Sequence, residues 1–375
     1  MNEMELELSR LFNAVIGEPP GQVSVHAVRR RAARHRRLTY VTATAALAVA
    51  GSLGVAFAST TTTQHRSASD HKTAARIPAY YFEQTPGNGT TRPPVNTIRS
   101  TATGAIAGTF KCPAPSPFPV SAVAAGGSPS STTFFMACST ATKNHPHRVT
   151  GSKIYELTVS RSGHVSALKL MPGGTLAHQV PMDLGASPDG SELAVSDYVS
   201  GYRVLVINTK TGRQAVWTAD APGGGELQSL SLSFADRGRE LAAFGRVSGG
   251  TEMVSVSPAW QGGNLDSGHV VFSGYQDVPS PVAAILSPSG KTVTLGGLDN
   301  RAGSRVVSIN AVTGKMTRVL LTIRKGGLRF LAEDPSGRFI LVVGGYTHNA
   351  FNGWIKNGNL VPLPGLRGLP NTETW

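Results

Sequence analysis

Charged residues make up only 15% of this 375-residue chain, and it has just two cysteines. So low a charge density, beside 43 glycines and 24 prolines, argues for many turns and short strands and against long helices. Two isolated cysteines cannot supply a zinc cluster or staple a small disulfide scaffold. No G-x-S-x-G occurs, which removes the nucleophile elbow of an α/β-hydrolase. The Gly-rich "APGGGEL" (221–227) lacks the Lys-Ser/Thr of a phosphate loop and reads as a connection. In "HPH", His145 and His147 flank a proline with no cysteine nearby, so they read as a polar loop and not as metal ligands. No cofactor, metal or catalytic residue is expected.

Long apolar runs are missing too, except one. "LTYVTATAALAVAGSLGVAFA" (38–58) carries no charge, and as a helix it would be about 31 Å long, enough to cross a bilayer. Arg29, Arg30, Arg31, Arg34, Arg36 and Arg37 stand just before it. Arginines packed against one end of a span set its topology, so residues 1–37 are expected in the cytoplasm and everything after the span outside. Nucleic-acid binding is not expected from this cluster. A secreted form cleaved near Ala58 is the alternative, since Ala56-Phe57-Ala58 fits a signal-peptidase site. The 37 residues ahead of the run favour an anchor. Within them, residues 4–17 have helical apolar spacing at Leu8, Leu11, Phe12 and Val15, a short amphipathic helix for a cytoplasmic regulator or the inner leaflet.

Beyond the span, residues 59–76 are polar and Thr/Ser-rich, a flexible tether. From residue 77 to 375 the chain changes character. Its 43 glycines and 24 prolines punctuate short runs of β-branched and aromatic residues, as short strands require. On the outer side Cys112 and Cys138 are a candidate disulfide, with two buried thiols on separate strands as the other reading.

The turns repeat. "ASPDGSELAV" (186–195) returns as "LSPSGKTVTL" (286–295), "EDPSGRFILV" (333–342) and a worn "FADRGRELAA" (234–243). Pro presets φ, Asp or Ser bonds its own backbone and Gly takes the left-handed conformation, which predicts a three-residue hairpin with a bulge. On this account Asp189, Asp236 and Asp334 serve turns and no calcium site. A second, offset series ends on Gly104, Gly163, Gly212, Gly268, Gly314 and Gly358. Two interleaved series about fifty residues apart imply an array of four-stranded units. Such sheets bury both faces only by packing radially and closing into a ring. The turns resemble those of WD40-like and TolB-like β-propellers. The layout of Arg cluster, span and repeats, with "AYYFEQ" and "IRSTATGAIAGTF" as first blade, is similar to membrane-anchored propeller proteins of high-GC Gram-positive bacteria. The Gly-His and Trp-Asp dipeptides of true WD40 repeats are absent.

The expected fold is therefore all-β, a six-bladed propeller with seven blades as the alternative, preceded by one transmembrane helix and a short helical cytoplasmic segment. Expected blades cover 78–111, 118–170, 180–220, 227–273, 280–323 and 327–364. The first lacks an inner strand, which "NTETW" (371–375) or the chain just before it is expected to supply. The two turn series share one end of the ring. At the other end lie "KNHPHRVTG" (143–151), "DYVSGY" (197–202), "RVSGGT" (246–251), "LDNRAGS" (298–304) and "YTHNAFN" (346–352), expected as longer irregular loops. They carry Tyr198, Tyr202, Asp299, Arg301, Tyr346 and His348, the candidate binding-face residues. The function expected is a non-enzymatic, single-pass membrane protein presenting a propeller to a protein, peptide or glycan. Its rivals are a lactonase-like propeller hydrolase and a signalling protein acting through residues 4–17. A hydrolase needs carboxylates or histidines on the innermost strands, where the sequence offers only Asp183 and Glu333.

Overall fold

The computed structural model describes residues 78–85, 95–113, 120–128, 131–142, 145–177, 181–197, 203–219, 228–247, 250–273, 278, 280–299, 303–345, 351–365 and 372–374. The helix expected at 4–17, the arginine cluster, the span 38–58 and the tether 59–76 lie outside the described residues. Among the described residues, no helix is long and apolar enough to cross a membrane.

Short β-rich runs between turn residues form strands throughout. In chain order they are β1 (Tyr80–Thr85), β2 (Val95–Ser100) and β3 (Ile106–Phe110), then β4 (Val120–Ser128), β5 (Ser131–Thr142), β6 (His145–Ser160) and β7 (Lys169–Ala177). Next come β8 (Pro181–Ala186), β9 (Glu192–Asp197), β10 (Arg203–Asn208) and β11 (Gln214–Thr218). The fourth group holds β12 (Gln228–Ala235), β13 (Glu240–Val247), β14 (Gly250–Val256), the two-residue β15 (Gly263–Asn264) and β16 (His269–Ser273). β17 (Ser280–Leu286), β18 (Thr292–Asp299), β19 (Gly303–Asn310) and β20 (Met316–Ile323) follow. The last are β21 (Leu328–Glu333), β22 (Ile340–Gly344), β23 (Phe351–Lys356), β24 (Asn359–Pro362) and β25 (Thr372–Thr374).

These strands make six sheets, antiparallel but for the β11–β15 pair, whose limits follow the expected blades except that blade 2 ends at Ala177 and not at 170, because its outer strand is β7. Each of blades 2 to 6 is a meander of consecutive strands, apart from the insertion holding β15. Blade 1 is different: its order is β25-β1-β2-β3, so the expected tail strand is present, with Phe82 opposite Thr374 and Gln84 opposite Thr372. Among the described residues the buried apolar side chains form six clusters, and each joins two neighbouring blades. Blades 3 and 4 share Val204, Val206 and Trp217 with Phe234 and Leu241, while blades 4 and 5 share Phe244 and Met253 with Leu286 and Val293. The ring-closing cluster joins Tyr81 of blade 1 to Leu341, Val343 and Leu363 of blade 6. The Tyr81 hydroxyl, in a residue with no exposed surface, donates to the Pro364 carbonyl at 2.7 Å. Each fully buried side chain of this size contributes roughly 1.5–3 kcal/mol, so the interfaces between sheets carry the core. The fold is a six-bladed β-propeller, and the seven-bladed alternative falls.

The turn glycines behave as the repeat demands, with corrections. Gly190, Gly290 and Gly337 adopt φ of 72°, 69° and 70°. The loops hold four residues and not the expected three, because Ser187 N–H still bonds Glu192 O and Ser287 N–H bonds Thr292 O. Serine and aspartate groups inside the turn stabilise the extra residue. In the worn copy, where Pro is missing, Asp236 and Arg237 themselves take φ of 43° and 58°. Gly268, expected to close a short turn, has φ of −70° and ends an insertion over 257–268.

Blade packing is close at the axis. A Cβ on Gly185 of β8 would sit 2.7 Å from the Leu232 carbonyl of β12, so that position admits no side chain without moving the strands apart. The cysteines are bonded: Cys112, just after β3, and Cys138 in β5 lie with their Cα atoms 5.8 Å apart, tying blade 1 to blade 2. The reading with two free thiols is excluded.

Candidate functional site

The strand order places the two ends of the ring. Turns β8–β9 and β10–β11 share one end, while the β9–β10 connection and the links between blades share the other. At the first end the polar side chains are consumed locally. Asp189 accepts from Ser191 N–H (3.0 Å) and from the Ser187 and Ser191 hydroxyls (both 2.8 Å). Burial alone would push its carboxyl up, but these donors outweigh it and hold the group below the usual carboxylate range. Asn208 Oδ1 accepts from Thr211 N–H, and Asn310 Oδ1 from Thr313 N–H, both at 2.9 Å. Asp334 takes Arg338 N–H and Phe339 N–H at 2.8 and 2.7 Å. The turn role expected for Asp189 and Asp334 holds.

At the other end, Tyr198, Tyr202, Arg301, Tyr346 and His348 lie outside the described residues. Asp299 is the last residue of β18, its backbone paired with Gly303. Three of the five expected irregular loops are instead mostly strand. β6 begins at His145, so "HPH" opens a strand, with His145 opposite Thr142. β13 and β14 leave only 248–249 between them, and β18 and β19 leave 300–302. The ladder bonds backbone to backbone, so polar residues at strand ends pair as readily as apolar ones; hydrophilicity misled the sequence reading. His164 and His269 are exposed; His269 opens β16, whereas His164 lies in the turn before β7 and outside any strand.

The axis is lined by β4, β8, β12, β17 and β21 around a cavity of about 110 Å³, smaller than the ~300–1,000 Å³ of ordinary ligand pockets. All five strands carry a bulge near their start, between Val120/Ala122, Pro181/Asp183, Ser229/Ser231, Pro281/Ala283 and Leu328/Phe330. A bulge bends its strand and re-aims the next side chain. In blades 3 and 4 that side chain bonds the free edge of the following blade. Leu232 N–H donates to Asp183 Oδ2 at 2.7 Å. The Ser231 hydroxyl donates to Ala284 O at 2.6 Å and accepts from Ala284 N–H at 3.0 Å. Ser233 Oγ accepts from Leu286 N–H at 2.9 Å. Edge groups that would otherwise stay unpaired are thereby satisfied. The sequence reading missed both serines; their alternation in "SLSLSF" is the signal that marks them.

Three acidic residues line this cavity, Asp183 and Glu333, as the sequence indicated, and Asp334, whose carboxyl is held by its own turn. Burial pushes Asp183 up to about 7 against the Leu232 and Leu184 N–H groups, which act the other way. Burial, reinforced by the Asp334 charge, pushes Glu333 up to about 8. Glu333 Oε2 is buried with no hydrogen-bond partner among the described residues. Arg329 also lines the cavity. Among the described residues, no cluster of three or more His, Cys, Asp or Glu is placed to hold a metal.

No family model matches the chain, and no curated protein matches it either. Solved structures do. TolB from Acinetobacter baumannii superimposes with a TM-score of 0.53 at 12% identity, over 79% of this chain and 66% of that one. The fold is that of a TolB-like β-propeller. The chain therefore spans just under two thirds of that TolB's length. The Pseudomonas aeruginosa periplasmic gluconolactonase matches with a TM-score of 0.45 at 16% identity, over 78% of this chain and 82% of that one. The β-propeller domain of Cps50 (Swd1) from Myceliophteria thermophila matches with a TM-score of 0.42 at 9% identity, over 74% and 79%. At these identities the likeness is one of fold.

Proposed function

We propose that this chain is a single-pass membrane protein whose propeller binds a protein, peptide or glycan outside the cytoplasm, without catalysis. The observation that carries this reading is the asymmetry of the ring. One end spends its polar side chains on its own turns, whereas the connections at the other include 86–94, 198–202 and 345–350, which carry Tyr198, Tyr202 and Tyr346. Loops on a rigid scaffold are where recognition concentrates, and tyrosines supply contact area at low entropic cost. The Cys112–Cys138 bond supports an oxidising compartment for the domain. The arginine cluster beside 38–58 supports an N-terminus facing the cytoplasm.

Proximity labelling from a tag on the full-length protein, in intact cells, tests the reading. Extracytoplasmic neighbours are expected, and Tyr198→Ala, Tyr202→Ala and Tyr346→Ala together should remove the specific ones. A labelled set that is wholly cytoplasmic would refute it.

A second reading rests on Asp183 and Glu333. Carboxyls with pKa near neutrality facing one cavity suit general acid–base work, as in a lactonase-like hydrolase. Against it, Asp183 is engaged by a backbone N–H and the cavity is small. Lactone hydrolysis lost in both Asp183→Asn and Glu333→Gln would favour this second reading over the first.

A further inference from the structure

The insertion over 257–268 leaves blade 4 and clips onto the outer edge of blade 3. Its short β15 adds to β11 as a parallel fifth strand, pairing Gly263 with Trp217 and Asn264 with Thr218. The buried indole of Trp217 donates from Nε1 to Ala259 O at 2.6 Å, and Ala259 N–H donates to Arg239 O at 2.6 Å. Ala259 and Leu265 are fully buried anchors. Between these anchors Trp260 is 54% exposed. An indole held outward by so firmly fixed a turn keeps a large apolar face in water.

That face borders a cleft of about 280 Å³ whose other walls are the polar Glu192, Asn208, Thr211, Arg213 and Gln214, with Val206 and Ala215 beside them. The polar groups are already ordered. Asn208 Nδ2 donates to Glu192 Oε1 at 3.1 Å, Asn208 Oδ1 accepts the Thr211 hydroxyl at 2.9 Å, and Gln214 Nε2 donates to Gly173 O at 3.0 Å. A carboxylate and a guanidinium in the same cleft work against a ligand of either net charge. Carboxylate, guanidinium, amide and hydroxyl groups together offer both donors and acceptors. A flat apolar wall beside such a rim matches a ligand with one apolar face and hydroxyls around its edge. The volume is slightly below that of drug-sized pockets, ~300–1,000 Å³, which suits one or two sugar rings.

We propose that the Trp260 cleft on the flank of blade 3 binds a neutral saccharide, whose ring stacks on the indole while its hydroxyls bond Glu192, Arg213 and Gln214. The site is separate from the second-loop end of the ring and does not rest on the function proposed above. Trp260, Glu192 and Arg213 orient a ligand here and have no part in the axial cavity.

The test is calorimetric titration of the full-length protein in nanodiscs with short neutral gluco-, manno-, galacto-, arabino- and N-acetylglucosamine oligosaccharides. At least one series should bind saturably. Trp260→Ala should weaken it by about tenfold or more, a loss of 1.4 kcal/mol or more, while Trp260→Phe keeps most of the affinity and Arg213→Ala weakens it severalfold. Melting temperatures of these variants should match the parent, since the Trp260 and Arg213 side chains both lie at the surface. The Tyr198, Tyr202 and Tyr346 substitutions should leave the titration unchanged. Absence of saturable binding across the series would overturn the proposal, as would equal binding by Trp260→Ala. Loss of binding to phospholipid vesicles in Trp260→Ala, without any saccharide effect, would assign the indole to a membrane surface and overturn it too.

Discussion

Blade 1 and blade 5 have the same four-stranded plan but are assembled differently. Blade 5 is one unbroken meander, β17 to β20, held by turns within 44 residues of chain. Blade 1 takes its inner strand from Thr372–Thr374, nearly 290 residues beyond β1. It then leans on blade 2 through the disulfide and on blade 6 through Tyr81. Local turn chemistry builds blade 5, whereas loop closure over the whole ring builds blade 1. The lesson is that the same unit, placed at the seam, depends on long-range contacts that the others do not require.

Four measurements would break or sharpen this contrast. Deleting residues 371–375 removes β25 and should lower the melting temperature by about 10 °C or more; an unchanged value would show that the seam does not need its inner strand. Cys138→Ala, measured against the oxidised parent, should cost about 3 kcal/mol, from a crosslink with a sequence separation of 26. An equal cost in the reduced parent would assign the effect to packing alone.

Glu333 is the last residue of β21, the inner strand of blade 6, next to the seam. Its carboxyl is raised from 4.5 to about 8 in the folded state. The folded protein therefore holds this proton more tightly than the unfolded chain. The resulting stability is full below about pH 4.5 and is lost as pH rises through about 8. Glu333→Gln should accordingly match the parent near pH 5 and melt higher near pH 9. A difference that stays constant across that range would remove the titration as its cause. The smallest effect belongs to blade 5. Gly290→Ala places a side chain at φ of 69° with Glu240 Oε2 3.2 Å from the new Cβ, a cost of about 1 kcal/mol. A cost equal to that of the tail deletion would erase the contrast.

Much of this was legible from turn residues. Gly190, Gly290 and Gly337 located the first hairpins because only a left-handed glycine closes that loop at low cost. The short first blade, with strands to match "AYYFEQ" and "IRSTATG" but nothing ahead of them, pointed to the tail. What stayed hidden obeys no local rule. The insertion over 257–268 left one trace, a wider interval from Gly212 to Gly268 than from Gly268 to Gly314. Its docking on blade 3 is a tertiary event. Trp260 was illegible for the same reason, since an indole reads as core until its neighbours are known. Asp183 and Glu333 were found because charged residues are rare on apolar inner strands. Their elevated pKa values depend on enclosure by strands from other blades, which no single stretch encodes.

The seam has a mechanical consequence. A pull delivered along the polypeptide toward Tyr80 reaches β1 before any other strand. β1 is gripped from both sides, by β2 with six paired residues and by β25 with three. Such a load shears both ladders at once instead of peeling one from its end. The Cys112–Cys138 bond passes it on to blade 2, so the ring resists traction as a clasped belt does, failing first where the buckle is shortest.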